Sequence, residues 1–375
     1  MRRPLQAYRL FFPAAALYAL AAVPLWALEY AGLLPVLRGS GWASWHGHEM
    51  VFGYALAVIG GYLLTKLSPR ALLTVFALWL LGRVSYLGLP FPPAVEASIA
   101  ISFPACLFAF AGMPFLRAAK TWRNAMFAGV LAALVLAALA YESGALGALV
   151  AGEARGVGLG IDVVTLLMFA MGGRVIAAAT SGALRLKGVH LHGVAQPRLE
   201  AAGAAAIVAM AALDFWGRAP DLAAAAAFAG AAAVALRLFK WRMWRAMDAP
   251  ELGSLHLGYA WLAVGLAAKA SSLALGIPPP FDALHGVMVG ALGTLSLAMM
   301  ARVSLQRSQR PIAFPPAVTL SIAMISGAAI CRLLAAVPAL RLPMIATASL
   351  FWVFAFALFA VFLFRLEAAP VRREP

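Results

Sequence analysis

Two histidines and a carboxylate stand at the start of one long apolar stretch, the segment 42–66, which reads WASWHGHEMVFGYALAVIGGYLLTK. His46, His48 and Glu49 precede an almost unbroken run of apolar and small residues. Imidazole is a natural ligand for haem iron, copper and zinc. Ionisable groups at membrane depth are costly and mark functional sites. The stretch therefore predicts metal or haem chemistry at the mouth of a membrane span.

Two further histidines lie in apolar surroundings: His285 in FDALHGVMVGALGTL and His256 in SLHLGYAWL. A bis-histidine haem needs one histidine from each of two facing helices. The charge pattern described below sets His285 level with His46 and His48, near the outer face. His256 falls near the inner face, where it is a candidate metal ligand.

Arginines and glycines complete the candidate site. Arg83 falls at the depth of the outer histidines, where it would pair with haem propionates. Arg174 in FAMGGRVI is predicted to be buried, where an arginine meets an anion or backbone carbonyls. Gly172 and Gly173 beside it would let a flat ligand or another backbone approach closely.

Helical spacing separates the two histidines of WHGHEM. At ~100° per residue, Gly53, Ala57 and Gly60 fall within about 40° of His46, which predicts a small-residue surface for a macrocycle. His48 points to the opposite side, so the sequence leaves open which of the two is an axial ligand. Each histidine also has a structural interpretation as an interfacial hydrogen-bonding group, and Glu49 and Arg83 could form a purely structural ion pair.

Composition defines the elements that must hold these residues. The chain has 375 residues, 64% of them hydrophobic and 11% charged, with a mean hydropathy of +0.91. Soluble domains carry roughly 25% charged residues. The two cysteines have no metal-ligand or disulfide spacing. These values predict an all-α, polytopic membrane protein formed as a single integral-membrane domain over residues 1–375, with the lipid bilayer as its surroundings.

About twelve runs are long enough to cross a bilayer, which needs about 20 apolar residues. The first is expected to be a retained helix rather than a removed signal peptide. The predicted spans are 9–28, 43–66, 70–88, 92–116, 122–141, 157–180, 198–215, 220–239, 253–275, 282–303, 313–336 and 343–365.

Basic residues alternate with these spans. With both termini in the cytoplasm, the outer loops hold only four of them, Arg38, Arg155, Arg218 and Arg341, and most of the others lie at inner ends and loops. This is the positive-inside pattern. The net charge of +15 is thus explained by topology and contact with cytoplasmic lipid, which argues against nucleic-acid binding.

Five motifs, in order, resemble the NnrS family over about residues 8–315: WHGHEMVFGYALAVIGGYLLT, LWLLGR, FAMGGRVI, LHLGYAWL and ALHGVMVGALGTLSLAMMARVSL. That family comprises bacterial inner-membrane proteins linked to nitric oxide and nitrosative stress and described as containing haem and copper. The resemblance points to His46, His48, Glu49, Arg83, Gly172, Gly173, Arg174, His256 and His285. It implies a haem, of b type, and nitric oxide as a small-molecule ligand.

One departure from the family pattern concerns copper. In the family the run RVSL is followed by Gly-His-Thr-Gly-Arg, whereas here Arg307 stands at the position of the histidine. An inner metal site built from that histidine and His256 would lack a ligand, so the expectation of copper is weaker than that of haem.

Two hypotheses of different classes follow. The first is a membrane haem protein that binds or turns over nitric oxide, with His285 and either His46 or His48 on the iron. Turnover would make it a haem-dependent oxidoreductase, but the sequence names no electron donor. The second is a transporter of a metal ion, haem or a small anion, with Asp162, Arg174 and Lys269 along the path. Signatures of nucleotide-binding loops, hydrolase elbows and HExxH metalloproteases are absent from the sequence.

Overall fold

The computed structural model describes residues 5–34, 41–87, 89–118, 122–190, 193–245 and 247–368. Helix is the only regular secondary structure in these ranges, which confirms the all-α prediction. The long helices, in chain order, are α1 (Ala7–Tyr30), α2 (42–63), α3 (Pro69–Ser85), α4 (Pro93–Arg117), α5 (Trp122–Ala145), α6 (Gly152–Leu186), α7 (Pro197–Trp216), α8 (Pro220–Lys240), α9 (Pro250–Leu275), α10 (Pro280–Arg307), α11 (Pro316–Leu334) and α12 (Arg341–Ala368).

Proline and glycine determine many of the helix ends. Proline occupies the first turn of α3, α4, α7, α8, α9, α10 and α11, a position where its missing N–H group has no partner to lose. Ser68 caps α3 by accepting a hydrogen bond from the Ala71 N–H group at 3.3 Å. Helices α7 and α9 end at Gly217 and Gly276, which adopt the left-handed conformation that glycine tolerates.

Ten of the helices in the described ranges are long and apolar enough to cross a membrane, so the protein is a multi-pass membrane protein. Helices α2 and α3 occupy the second and third predicted spans but are not among these ten. The count of twelve spans and the cytoplasmic termini stay predictions. Helix α6 is longer than the span 157–180 predicted for it, since it begins at Gly152 and ends at Leu186.

Four π-helical segments interrupt the long helices within the described residues. They are Glu49–Ala55 in α2, Phe108–Gly112 in α4, Gly172–Ile176 in α6 and Gly286–Gly293 in α10. Such segments are rare and recur at functional sites. Three of the four begin at, or immediately after, candidate residues named from the sequence: Glu49, Gly172 and His285.

The helices form two compact units. The first comprises Met1–Val163 and Leu363–Val371, and therefore holds α1–α5, the start of α6 and the end of α12. Its core includes Phe11 and Phe103, whose rings stack at 5.5 Å. An ion pair of 2.6 Å between Arg9 and Glu367 joins the start of α1 to the end of α12.

The second unit comprises Val164–Phe362 and Arg372–Pro375. Helices α9 and α10 approach closely within it at two glycines. A β-carbon built on Gly286 would lie 2.8 Å from the Cα atom of Gly265, closer than side chains pack. Small residues allow such contacts between membrane helices. The approach fixes the backbone immediately after His285.

Candidate functional site

A buried cluster of charges in the first unit contains three of the predicted site residues. Glu49 is completely buried, and His48 and Arg83 are almost so. One carboxylate oxygen of Glu49, Oε1, lies 2.7 Å from Nδ1 of His48. The other, Oε2, accepts hydrogen bonds from Nη1 of Arg83 at 2.5 Å and from the hydroxyl group of Tyr18. The structural ion pair between Glu49 and Arg83 considered from the sequence is present.

A second buried carboxylate, that of Glu142 on α5, lies on the far side of His48. Its Oε1 is 3.6 Å from Nε2 of His48 and accepts a hydrogen bond of 2.5 Å from the Tyr86 hydroxyl group. The imidazole stacks on the Tyr86 ring with centroids 4.0 Å apart and lies 4.5 Å from the Tyr141 ring. His48 therefore has a carboxylate at each nitrogen and an aromatic ring against its face.

The π-helical segment of α2 explains how the helix tolerates this arrangement. A π-helical turn leaves a backbone carbonyl without its usual helical partner. The indole Nε1 of Trp79 donates a hydrogen bond of 2.9 Å to the Gly53 carbonyl within the segment. A β-carbon on Gly53 would lie 2.7 Å from Nη1 of Arg83 and 2.9 Å from the Tyr18 ring, so glycine here gives room to both side chains.

His46 contacts a different helix from His48, as the helical spacing predicts. Its ring stacks on Trp26 of α1 with centroids 4.4 Å apart. The small-residue surface predicted beside His46 is not open to a macrocycle, however. Side chains already fill it, because the β-carbon positions of Gly53 and Gly60 meet Arg83 and the Phe103 ring, respectively.

Both ring nitrogens of His285, in the second unit, have polar contacts. Its Nδ1 lies 2.6 Å from the Phe281 carbonyl oxygen, one turn earlier, and Nε2 lies 3.0 Å from Nη2 of Arg332. Nη2 of Arg332 also lies 3.3 Å from Nδ1. Because a carbonyl oxygen only accepts, the shorter contact with Phe281 favours the tautomer with the proton on Nδ1 and the lone pair on Nε2. Asp282 accepts a hydrogen bond of 2.8 Å from Arg341 and lies 3.9 Å from Arg332.

The inner candidates also lie in the second unit. His256 is fully buried, and its Nε2 is 2.9 Å from the Thr180 hydroxyl group. The predicted burial of Arg174 is wrong: its side chain is exposed. The reason is the helical spacing: Gly172 and Ile176, four residues apart, face inward, and Arg174, two residues from each, lies on the opposite face of the helix.

The buried arginine of this region is instead Arg237 on α8, with 1% of its surface exposed. A β-carbon on Gly173 would overlap Nη2 of Arg237, and one on Gly172 would overlap the Tyr259 ring. The glycine pair therefore makes room for two side chains of this chain, whereas the sequence suggested a flat ligand or another backbone there.

Several residues of these clusters were not identified from the sequence as site residues, namely Tyr18, Tyr86, Tyr141, Glu142, Arg237 and Tyr259. Glu142 and Arg237 stand at the ends of apolar runs, where a charge is ordinarily assigned to a loop. The four tyrosines could have been noticed in the sequence as phenol groups within runs of aliphatic residues. A tyrosine buried in a membrane protein needs an acceptor for its hydroxyl group, and a buried carboxylate supplies one.

The donor sets differ in how well they fit a metal or haem. In the parts of the chain that the structure describes, no group of three or more His, Cys, Asp or Glu residues could hold a metal ion. His285 fits an iron ligand, because a metal-bound histidine donates its other N–H group to a carbonyl or carboxylate. His48 does not fit, since both of its nitrogens face carboxylates and its ring is enclosed.

The transport hypothesis gains no specific support from two of its three named residues. Lys269 is buried and forms an ion pair of 2.7 Å with Asp214, and Arg174 is exposed. Neither is an isolated buried charge of the kind that marks a substrate path. The third, Asp162, is buried, as the hypothesis expects.

Comparison with known proteins gives one family. The family model described as NnrS protein matches residues 5–370, nearly the whole chain. No curated protein matches the chain.

Proposed function

The chain belongs to the NnrS family, and from this membership we propose that it is a membrane haem protein of the nitric oxide response with His285 as an iron ligand. The observation that carries the proposal is the hydrogen bond of 2.6 Å between Nδ1 of His285 and the Phe281 carbonyl. It fixes the ring and directs the lone pair to Nε2, the nitrogen that would bind iron.

Arg332 and Arg341 would serve the acidic groups of the cofactor. Arg332 is almost buried and lies beside His285, while Asp282 holds Arg341 at 2.8 Å. Guanidinium groups pair with carboxylates in defined geometry. On binding a haem, Arg332 would exchange its contact with Nε2 for a contact with a propionate.

Haem would supply an iron centre for nitric oxide, a small, lipid-soluble molecule that needs no polar channel to enter a helix bundle. The chain's own part is to hold His285 in one tautomer and to neutralise the propionates. We confine the proposal to haem, because Nε2 of His256 is 2.9 Å from Thr180 and Arg307 replaces the expected second histidine. Binding of nitric oxide is proposed for this site, and turnover would need an electron donor.

An absorption spectrum of the detergent-purified chain tests the proposal. We expect a Soret band in the wild type, its loss in His285→Ala, and a shift when nitric oxide is added to the reduced protein. His190→Ala is the matched control, because His190 is exposed in the loop after α6. A folded protein that stays free of haem when haem is supplied, or an unchanged Soret band in His285→Ala, would contradict it.

A further inference from the structure

Basic side chains gather at one end of the second unit, where α6 and α8 end and α7 and α9 begin. In the described part of the stretches 185–198 and 240–251, six of them are exposed and together form what we call the basic patch: Arg185, Lys187, Arg198, Lys240, Arg242 and Arg245. Asp248 is the one exposed acidic side chain in the described part of these stretches. The patch therefore carries net positive charge at the ends of four helices that are apolar enough to cross a membrane.

Contacts between the two loops hold the basic patch together. Lys187, in the loop after α6, forms an ion pair with Asp248, which lies two residues before α9. The indole Nε1 of Trp241, just after α8, donates a hydrogen bond of 3.3 Å to the Val194 carbonyl in the other loop. The Trp241 side chain is itself buried. The two loops are thus fastened to each other, and groups that are already held in place lose less entropy when they bind a partner.

Large apolar side chains are exposed among the basic ones. Leu186 exposes 88% of its surface, Phe239 67% and Trp244 54%. The rings of Phe239 and Trp244 contact each other with centroids 5.4 Å apart. Aromatic residues at the ends of membrane helices lie at the level of the lipid headgroups, and long basic side chains there extend their charged ends into the same layer. The patch therefore combines the side-chain types that suit the boundary between hydrocarbon and headgroups.

The backbone of Arg242 gives a further reason to assign a role to its side chain. Arg242 lies between the end of α8 and the short 3₁₀ turn Met243–Arg245, and its φ angle is 53°. This left-handed conformation is unfavourable for a residue with a β-carbon and is readily adopted by glycine. An arginine here costs stability that a glycine would not, and positions of this kind cluster at binding sites. The strain thus favours a binding role for Arg242.

We propose that the basic patch binds the phosphate groups of anionic phospholipids in the bilayer. Guanidinium groups pair with phosphate through two parallel hydrogen bonds, and lysine adds a point charge. The exposed Leu186, Phe239 and Trp244 contact the acyl chains beside those headgroups. A soluble polyanion would satisfy the charges but would leave these apolar side chains in water, which is unfavourable. This lipid site does not depend on haem at His285.

Electron paramagnetic resonance of spin-labelled lipids tests the site. The full-length chain is reconstituted into phosphatidylcholine vesicles that contain a trace of spin-labelled phosphatidylglycerol or spin-labelled phosphatidylcholine, and the spectra give the fraction of each label held at the protein. We expect enrichment of phosphatidylglycerol over phosphatidylcholine. The enrichment should fall as sodium chloride is added, because salt screens exposed charges. Inorganic phosphate at millimolar concentration should leave it unchanged, since free phosphate makes no contact with the apolar side chains.

Two triple variants remove the same amount of charge from different places. The patch variant carries Lys240→Gln, Arg242→Gln and Arg245→Gln, and it should lower the enrichment at least about fivefold, the effect of one basic residue near an anionic surface. The matched control changes three exposed basic side chains of the first unit, by Lys66→Gln, Arg70→Gln and Arg117→Gln. The control should keep most of the enrichment, and circular dichroism establishes that both variants are folded.

Three results would overturn the proposal. The first is a wild-type protein that does not enrich phosphatidylglycerol, and this result decides even if the patch variant does not fold. The second is an equal loss of enrichment in the two triple variants, because the lipid would then respond to net charge and not to the basic patch. The third is displacement of the lipid by inorganic phosphate, which would assign the patch to a free anion.

Discussion

At the scale of single residues, the ion pair between Glu49 and Arg83 is the interaction whose loss we expect to cost most. Both side chains are buried, and the carboxylate of Glu49 also forms hydrogen bonds with Tyr18 and His48. Replacing Glu49 by Gln leaves a buried guanidinium without its anion, which destabilises proteins by roughly 3–5 kcal/mol. Denaturant titration of the purified chain in detergent, followed by circular dichroism, measures the change.

Two comparisons separate burial from charge in that experiment. Asp248→Asn removes an exposed ion pair with Lys187 and should cost less than about 1 kcal/mol. The double variant Glu49→Gln with Arg83→Met removes both charges and should recover much of the lost stability. Equal effects of Glu49→Gln and Asp248→Asn would show that the cluster around His48 contributes little.

At the scale of helices, the sequence predicted what hydrophobicity alone decides. The lengths and the order of the apolar runs predicted the position of each long helix, because a helix needs about 20 apolar residues to cross a bilayer. The π-helical segment of α2 could not be predicted, since the Gly53 carbonyl within it accepts a hydrogen bond from Trp79 on another helix. The error at Arg174 has a different cause: its burial was predicted from its place inside an apolar span, and that place does not say which face of the helix a residue lies on.

The contact between α9 and α10 gives a prediction at the same scale. Gly286→Ala would place a methyl group 2.8 Å from the Cα atom of Gly265, and such overpacking costs about 1–3 kcal/mol. Because Gly286 follows His285, haem retention should fall together with stability. Gly182→Ala, on α6 with no atom within 4 Å of the new β-carbon, should be neutral or slightly stabilising. Denaturant titration and the Soret absorbance of both variants test this, and equal behaviour would contradict it.

At the scale of the whole molecule, the sequence predicted which residues belong to the candidate site better than it predicted their roles. Residue types gave His48, Glu49 and Arg83 as members of one region, and the first unit brings them together. Their roles were not predictable, because both nitrogens of His48 face carboxylates only after Glu142 packs from α5. Likewise the buried arginine beside Gly173 proved to be Arg237, which is distant in sequence and stood at the end of an apolar run.

The alternation of basic residues predicts the orientation of the whole chain. Loops that face the cytoplasm carry the excess of Lys and Arg, so the loop after α5 should be outside and the loop after α8 inside. Single cysteines at Ala148 and Met247, both exposed, report on these loops once Cys106 and Cys331 are replaced by Ala. In intact cells, a membrane-impermeant maleimide should label the cysteine at 148 and not the one at 247, whereas both should react after permeabilisation. The opposite pattern would place both termini outside, and equal labelling of both positions before permeabilisation would mean that the helices between them cross the membrane an even number of times, contrary to the predicted spans.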